Sequence, residues 1–69
     1  MKTKKFKVMS VSQLDLMISY ESVDGTTRCD DDFETKEAWE RQMAFILEEA
    51  ENQGTDDPII ELEFEDYYA

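Results

Sequence analysis

Hydrophobic and polar residues alternate along three segments of the chain, which predicts β-strands. Apolar side chains occupy every second position over residues 14–20, and again over residues 60–64, where glutamates fill the positions between. Residues 4–11 show a weaker form of the same period. Successive side chains of a strand point to opposite faces of a sheet, so each segment has one face for a core and one for water.

A turn and a short third strand are predicted between these segments. The dipeptide Asp24-Gly25 favours a two-residue hairpin turn, because glycine adopts the positive φ angles that such a turn needs. A strand over about residues 26–31 then pairs back on the second strand. The aspartates at residues 30–32 predict its end, because aspartate is rare in strands.

A helical period replaces the alternation over residues 36–53. Thr35 suits the N-cap position and Gly54 the position after the last turn. The buried stripe is predicted to contain Trp39, Met43, Ile46, Leu47 and Ala50. Pro58 then begins the last strand. The prediction is an α+β fold in β-β-β-α-β order, a small antiparallel sheet of three to four strands with one helix on one face, forming a single acidic domain over residues 1–69.

Charge changes this picture more than any other property. The chain has 18 acidic residues, 7 basic residues and no histidine, for a net charge of −11. Four of the basic residues lie within the first seven positions, at Lys2, Lys4, Lys5 and Lys7. Such a surface repels nucleic acids and anionic membranes, so we expect it to bind neither directly. A partner selected by charge should be basic.

The residue types argue against an enzyme. Without histidine there is no Ser-His-Asp triad and no histidine-ligated zinc, and Cys29 alone cannot form a thiolate cage. The two glycines are isolated, so no phosphate-binding loop is predicted. Asp30, Asp32 and Glu34 have the alternate spacing of calcium ligands, but the rest of a calcium loop does not follow. We therefore predict no catalytic residues, no metal site and no cofactor.

Cysteine content and hydropathy bear on the compartment. A single cysteine suits a reducing environment. No apolar run approaches the roughly 20 residues that span a bilayer, and the lysine-rich start is not followed by a signal-peptide core. The expectation is a cytoplasmic protein.

The acidic residues form rows that invite comparison with DNA. Carboxylates at alternate strand positions recur every 6.4–6.8 Å, comparable with consecutive phosphates of one DNA strand. A domain of this size is roughly 28 Å across, and duplex DNA of that length carries about 16 charges. Like charges side by side destabilise a fold, which suggests a use beyond solubility. The candidate partner-binding residues are Asp30, Asp31, Asp32, Glu48, Glu49, Glu51, Glu61, Glu63 and Glu65.

In length, charge, lack of histidine and mixed strand–helix pattern, the chain resembles small phage-encoded DNA mimics that inhibit host DNA-binding proteins, including those directed against the histone-like protein HU. The resemblance spans the whole chain and consists of size and composition, without a residue motif. It implies a non-enzymatic inhibitor, often a homodimer, that competes with DNA for a basic groove in the host cytoplasm. The lysine-rich start departs from a uniformly acidic mimic.

Other functions fit the same sequence. An acidic immunity or anti-defence protein would block one specific nuclease without imitating DNA, and an accessory subunit would join a larger assembly. Many small acidic proteins are also simply soluble. Exposed aromatic residues are candidates for anchoring a dimer or a partner, namely Phe45, Tyr67 and Tyr68.

Overall fold

The computed structural model describes residues 2–64 and contains four strands and one helix within them. These are β1 (Lys2–Ser12), β2 (Met17–Ser22), β3 (Arg28–Asp32), α1 (Lys36–Gln53) and β4 (Ile59–Phe64). The strands form one antiparallel sheet in the order β3-β2-β1-β4. The predicted α+β class and β-β-β-α-β order are confirmed.

The core lies between α1 and one face of the sheet. The sheet contributes Phe6, Ile18, Tyr20 and Ile60, each at most 1% exposed, and α1 contributes Trp39 and Ile46. The polar atoms of the core aromatics are satisfied. The Tyr20 hydroxyl accepts a hydrogen bond from Gln42 Nε2 at 3.1 Å, and Trp39 Nε1 donates to the Met17 carbonyl at 3.4 Å.

Both ends of α1 are capped as predicted. The Thr35 hydroxyl accepts from the Ala38 N–H at 3.2 Å, which satisfies one free donor of the first turn. Gly54 has a φ of 66°. Its N–H bonds to the Glu51 carbonyl and the Thr55 N–H to the Ala50 carbonyl, the pattern of a Schellman cap. The predicted helix bounds are therefore confirmed.

The prediction that Leu47 belongs to the buried stripe of α1 is wrong. Leu47 is 63% exposed. Gln42 and Glu49, on the other flank of α1, are half-buried instead. Because the Tyr20 hydroxyl accepts from Gln42, that flank of the helix turns toward the sheet and Leu47 turns away from it.

The second strand begins later than predicted. Ser12 pairs with Met17, so residues 13–16 form the turn between β1 and β2. Leu14 is 94% exposed within this turn, and Leu16 has a φ of 52°, which is uncommon for a residue other than glycine. Leu16 nevertheless packs against the core from within the turn, and Ile18 and Tyr20 are buried as predicted.

The predicted two-residue turn after β2 is also wrong. β2 ends at Ser22 and β3 begins at Arg28, although Gly25 does have a positive φ of 77°. Side-chain hydrogen bonds stabilise the longer turn. The Ser22 hydroxyl donates to Asp24 Oδ1 at 2.6 Å and accepts from the N–H groups of Thr26 and Thr27.

The sheet has an irregularity in β1. This strand pairs with β4 from Lys2 to Lys7 and with β2 from Phe6 to Ser12. The β1–β2 register shifts between Val8 and Ser10, which leaves Met9 without a counterpart and marks a β-bulge. The sheet face away from α1 has no helix on it in the described chain.

Candidate partner-binding surface

β3 forms one edge of the sheet and carries three consecutive aspartates. Asp30, Asp31 and Asp32 lie opposite Ser19, Ile18 and Met17 of β2, respectively, so no cation faces them across this strand pair. Asp30 and Asp32 are exposed on the face away from α1. Asp31 shares the helix-facing side with Ile18 and is half-buried. The strand continues through all three aspartates, one residue beyond the predicted end, because β2 supplies a paired neighbour for each.

The electrostatic environment of Asp31 reflects this crowding. Burial raises its pKa, the nearby Cys29 thiol at 3.9 Å lowers it, and the charges of Asp32 and Asp30 raise it. Burial also raises the pKa of the Cys29 thiol, with the charges of Asp31 and Asp30 adding to the effect. A raised pKa keeps the thiol protonated, and Cys29 packs against the core.

A second group of carboxylates lies toward the C-terminal end of α1. Glu51 is in the last turn, while Glu48 and Glu49 are in the turn before it. Glu48 and Glu51 are exposed, whereas Glu49 is half-buried and accepts from Gln53 Nε2 at 3.2 Å. The last turn has no basic residue. Because the helix dipole is negative at this end, the Glu51 carboxylate is placed where it opposes helix stability.

The third group follows β4, at the opposite edge from β3. Glu61 and Glu63 are exposed and alternate with Ile60 and Leu62, which face the core side. Lys5 of β1 lies directly across from Glu61. Opposite charges at such a position attract each other, so the acidic row of β4 is partly compensated within the sheet. Glu63 lies across from the uncharged Thr3.

The candidate residues therefore form three separate groups. β3 and β4 are the two outer strands, about 14 Å apart at 4.7–4.9 Å per strand step. β1 lies between them and contributes Lys5 and Lys7 to the face that also bears Glu61. Of the nine predicted residues, Glu65 lies outside the described residues, and the other eight do not form one uninterrupted row.

Some exposed apolar residues lie outside the three groups of carboxylates. Phe45 is 43% exposed and, like Leu47, lies on α1. Tyr67 and Tyr68 lie outside the described residues. Phe45 therefore stays a candidate contact for a partner, on a helix that also carries carboxylates.

The carboxylates of these three groups can bind cationic side chains of a partner. Within residues 2–64, no three histidine, cysteine, aspartate or glutamate side chains are grouped to hold a metal ion. An open depression beside the end of α1 is lined by Ala50, Glu51, Gly54, Thr55 and Asp56. Its two carboxylates belong to the acidic end of the helix, and its shape presents them to solvent.

Sequence reasoning did not find two features of this surface. One is the pairing of Lys5 with Glu61, which depends on the position of β1 beside β4 and has no local sequence signal. The other is the involvement of Lys4 with the turn after β2. Lys4 Nζ donates to the Thr26 and Thr27 hydroxyls at 2.9 Å and lies 3.7 Å from Asp24.

Comparisons with known proteins give no relative. No protein-family model matches the chain, and neither a curated protein nor a solved structure matches it. No helix in the described part has the length and apolar character to cross a membrane.

Proposed function

We propose that this protein is a non-enzymatic inhibitor that acts as a DNA mimic, occupying the basic DNA-binding surface of a host nucleic-acid-binding protein. The observation that carries the proposal is the acidic edge of β3. Asp30 and Asp32 project from the same side of this strand and have no cation across from them, and the one cation on that side of β3, Arg28, lies across from Glu21. Side chains at alternate strand positions are 6.4–6.8 Å apart, close to the spacing of phosphates along one DNA strand.

Energetics support a role beyond folding. The three aspartates repel one another, as the raised pKa of Asp31 reflects in part, and Glu51 opposes the helix dipole. Charges in such places reduce the stability of a small domain. Their presence is explained if the lysines and arginines of a partner neutralise them on binding. The resulting affinity should fall with added salt, as the affinity of proteins for DNA does.

The resemblance to phage DNA mimics directs the choice of target. It makes histone-like HU protein the first partner to test and the host cytoplasm the expected site of action. The proposal includes no direct binding of nucleic acid, since the net charge of −11 repels phosphates.

A second candidate function is an acidic inhibitor of one specific nuclease, such as an immunity or anti-defence protein. The separation of the carboxylates into three groups favours it, because a partner-specific surface needs no continuous phosphate-like row. Lys5 opposite Glu61 favours it as well, since an imitation of DNA has no use for a cation within the row.

Affinity capture from a bacterial lysate separates these functions. The immobilised protein is exposed to lysate at low salt, washed at moderate salt, and then treated with duplex DNA. A DNA mimic retains abundant DNA-binding proteins such as HU and releases them when DNA competes. A nuclease inhibitor retains one nuclease. Capture of a partner that DNA does not displace would contradict the mimicry.

Matched variants then locate the surface on the captured partner. Three double variants each remove two charges: Asp30→Asn with Asp32→Asn, Glu48→Gln with Glu51→Gln, and Glu61→Gln with Glu63→Gln. Glu37→Gln with Glu40→Gln removes the same charge outside the candidate groups. The β3 variant should weaken binding most, and the Glu37 and Glu40 variant least. Equal weakening by all four would indicate a general effect of net charge and would contradict a defined surface.

A further inference from the structure

The part of β1 that follows Lys7 has a neighbouring strand on one side only. β4 pairs with β1 no further than Lys7, so residues 8–12, here named the β1 edge, pair only with β2. Backbone groups that alternate along such a strand point away from its one partner. Within the described chain no further backbone hydrogen bond reaches these residues. The β1 edge is therefore an open place for an added strand.

This edge differs in charge from the other edges of the sheet. Residues 8–14 contain no charged side chain, the longest such run in the sequence. Charged residues protect an edge strand from pairing with another strand. Such residues occur at both outer strands, where β3 carries its aspartates and β4 carries Glu61 and Glu63. The β1 edge lacks this protection.

Apolar side chains accompany the open backbone groups. Met9 is 50% exposed, Val11 is 43% exposed and Leu14, in the adjoining turn, is 94% exposed. The bulge at Met9 restricts regular pairing to a short stretch, so a strand added here would form a small contact. A small contact predicts weak, concentration-dependent association.

We infer that the β1 edge binds the β1 edge of a second copy of this chain, as two antiparallel strands related by a twofold axis. A strand edge is self-complementary in this arrangement, because each copy offers the same alternating donors and acceptors. Charge selects the occupant. A basic protein is attracted to the acidic groups, whereas two copies that each carry −11 approach with least repulsion along the uncharged edge.

This association is independent of the proposed inhibition. If the protein is a monomer and still inhibits its partner, the inference is wrong and the proposed function stands. If it forms the dimer but captures no basic protein, the inference stands and the proposed function is wrong.

Sedimentation equilibrium of the full chain over a wide range of concentration tests the inference. The wild type should pass from monomer to dimer, and added salt should favour the dimer by screening repulsion. Val11→Lys should raise the dimer dissociation constant about tenfold or more, because it places a charge on the edge. Val23→Lys is the control, since Val23 is 52% exposed in the turn after β2 and lies away from the β1 edge. Circular dichroism confirms folding, and Met9→Lys serves if Val11→Lys does not fold.

The results that overturn the inference are equally defined. The inference is overturned if the wild type stays monomeric at every concentration, or if neither edge variant changes the dimer dissociation constant. It is also overturned if Val23→Lys weakens the dimer as much as the edge variants do. Loss of the dimer in Phe45→Ser, with the edge variants still dimeric, would place the contact on α1 instead. In a Cys29→Ser background treated with a mild oxidant such as dissolved oxygen, which accepts the two electrons of each disulfide, Val11→Cys should form disulfide-linked dimers faster than Val23→Cys.

Discussion

Gln53, the last residue of α1, and Ile59, the first residue of β4, exchange two hydrogen bonds through one side-chain amide. Gln53 Nε2 donates to the Ile59 carbonyl at 2.9 Å, and the Ile59 N–H donates to Gln53 Oε1 at 2.9 Å. The amide thus serves both backbone groups of Ile59, as a neighbouring strand would. It fixes the start of β4 against the end of the helix, across the connection that contains Gly54.

Replacing this amide should weaken the attachment of β4. Gln53→Ala is expected to lower the free energy of unfolding by about 1 kcal/mol, the usual net contribution of hydrogen bonds that water can partly replace. Urea denaturation measures the change. Asn52→Ala is the matched control, because Asn52 is an exposed amide side chain in the same last turn of α1. Equal losses in the two variants would mean that the contact with Ile59 contributes nothing.

Neutralising charge at the two ends of α1 should have opposite effects on stability. Glu51→Gln removes a carboxylate from the last turn and should raise the free energy of unfolding by about 0.3–1 kcal/mol at low ionic strength. Glu37→Gln removes one from the first turn and should lower it by a similar amount. Denaturation at low and high salt measures both changes, which should shrink with screening. Changes of the same sign would refute the dipole argument.

Asp31 should make the protein less stable as the pH rises through the acidic range. Its pKa is raised in the fold, chiefly by burial, so the folded state holds this proton more tightly than the unfolded chain does. The free energy of unfolding therefore falls as the pH rises from the ordinary carboxyl pKa through the raised value. Asp31→Asn should stabilise the protein at neutral pH.

Measurements at low pH provide the control for Asp31→Asn. Below the ordinary carboxyl range, Asp31 is protonated in both states, so the gain from Asp31→Asn should disappear there. Denaturation series at several pH values provide the comparison. A gain of equal size at all pH values would assign the effect to packing rather than to charge.

Salt should raise the melting temperature of the isolated protein. The described part of the chain contains three resolved ion pairs, Lys4–Asp24, Lys7–Asp57 and Lys36–Glu40, against a net charge of −11. Screening therefore relieves more repulsion than it removes attraction. Thermal unfolding in sodium chloride measures the shift. A melting temperature that does not respond to salt would argue against crowded carboxylates.

The helix was predictable because its signals are local. Thr35 and Gly54 act on the backbone within a few residues, and the spacing of Trp39 and Ile46 reports one buried face. The error at Leu47 has a different origin. Which flank of the stripe turns toward the sheet depends on Tyr20 accepting from Gln42, a contact between residues far apart in sequence.

The alternation predicted which strand residues are buried, but it did not predict where the strands begin and end. Ile18, Tyr20 and Ile60 are buried as their alternation indicates. Leu14 continues the same alternation, yet lies in a turn that is set by the pairing of Ser12 with Met17. Turn length depends on such pairing, which sequence alternation alone does not specify.

The relation among the acidic groups was the least accessible from sequence. Each row is visible locally, as with Asp30 and Asp32 or Glu61 and Glu63. Their separation follows from the strand order, which places β3 and β4 at opposite sides of the sheet. No single segment encodes that order, because β1 and its second neighbour, β4, are far apart in the sequence.

The central position of β1 has a consequence for how the chain folds during synthesis. The strands β1, β2 and β3 are joined by short turns and can pair as soon as they leave the ribosome. β1 gains its second neighbour only after α1 and β4 have been translated. Contacts between such distant segments form slowly. Until then one whole side of the nascent meander is open along β1, and Lys4, Lys5 and Lys7 of this strand are residues of the kind that keep an exposed strand edge from pairing with a neighbouring nascent chain.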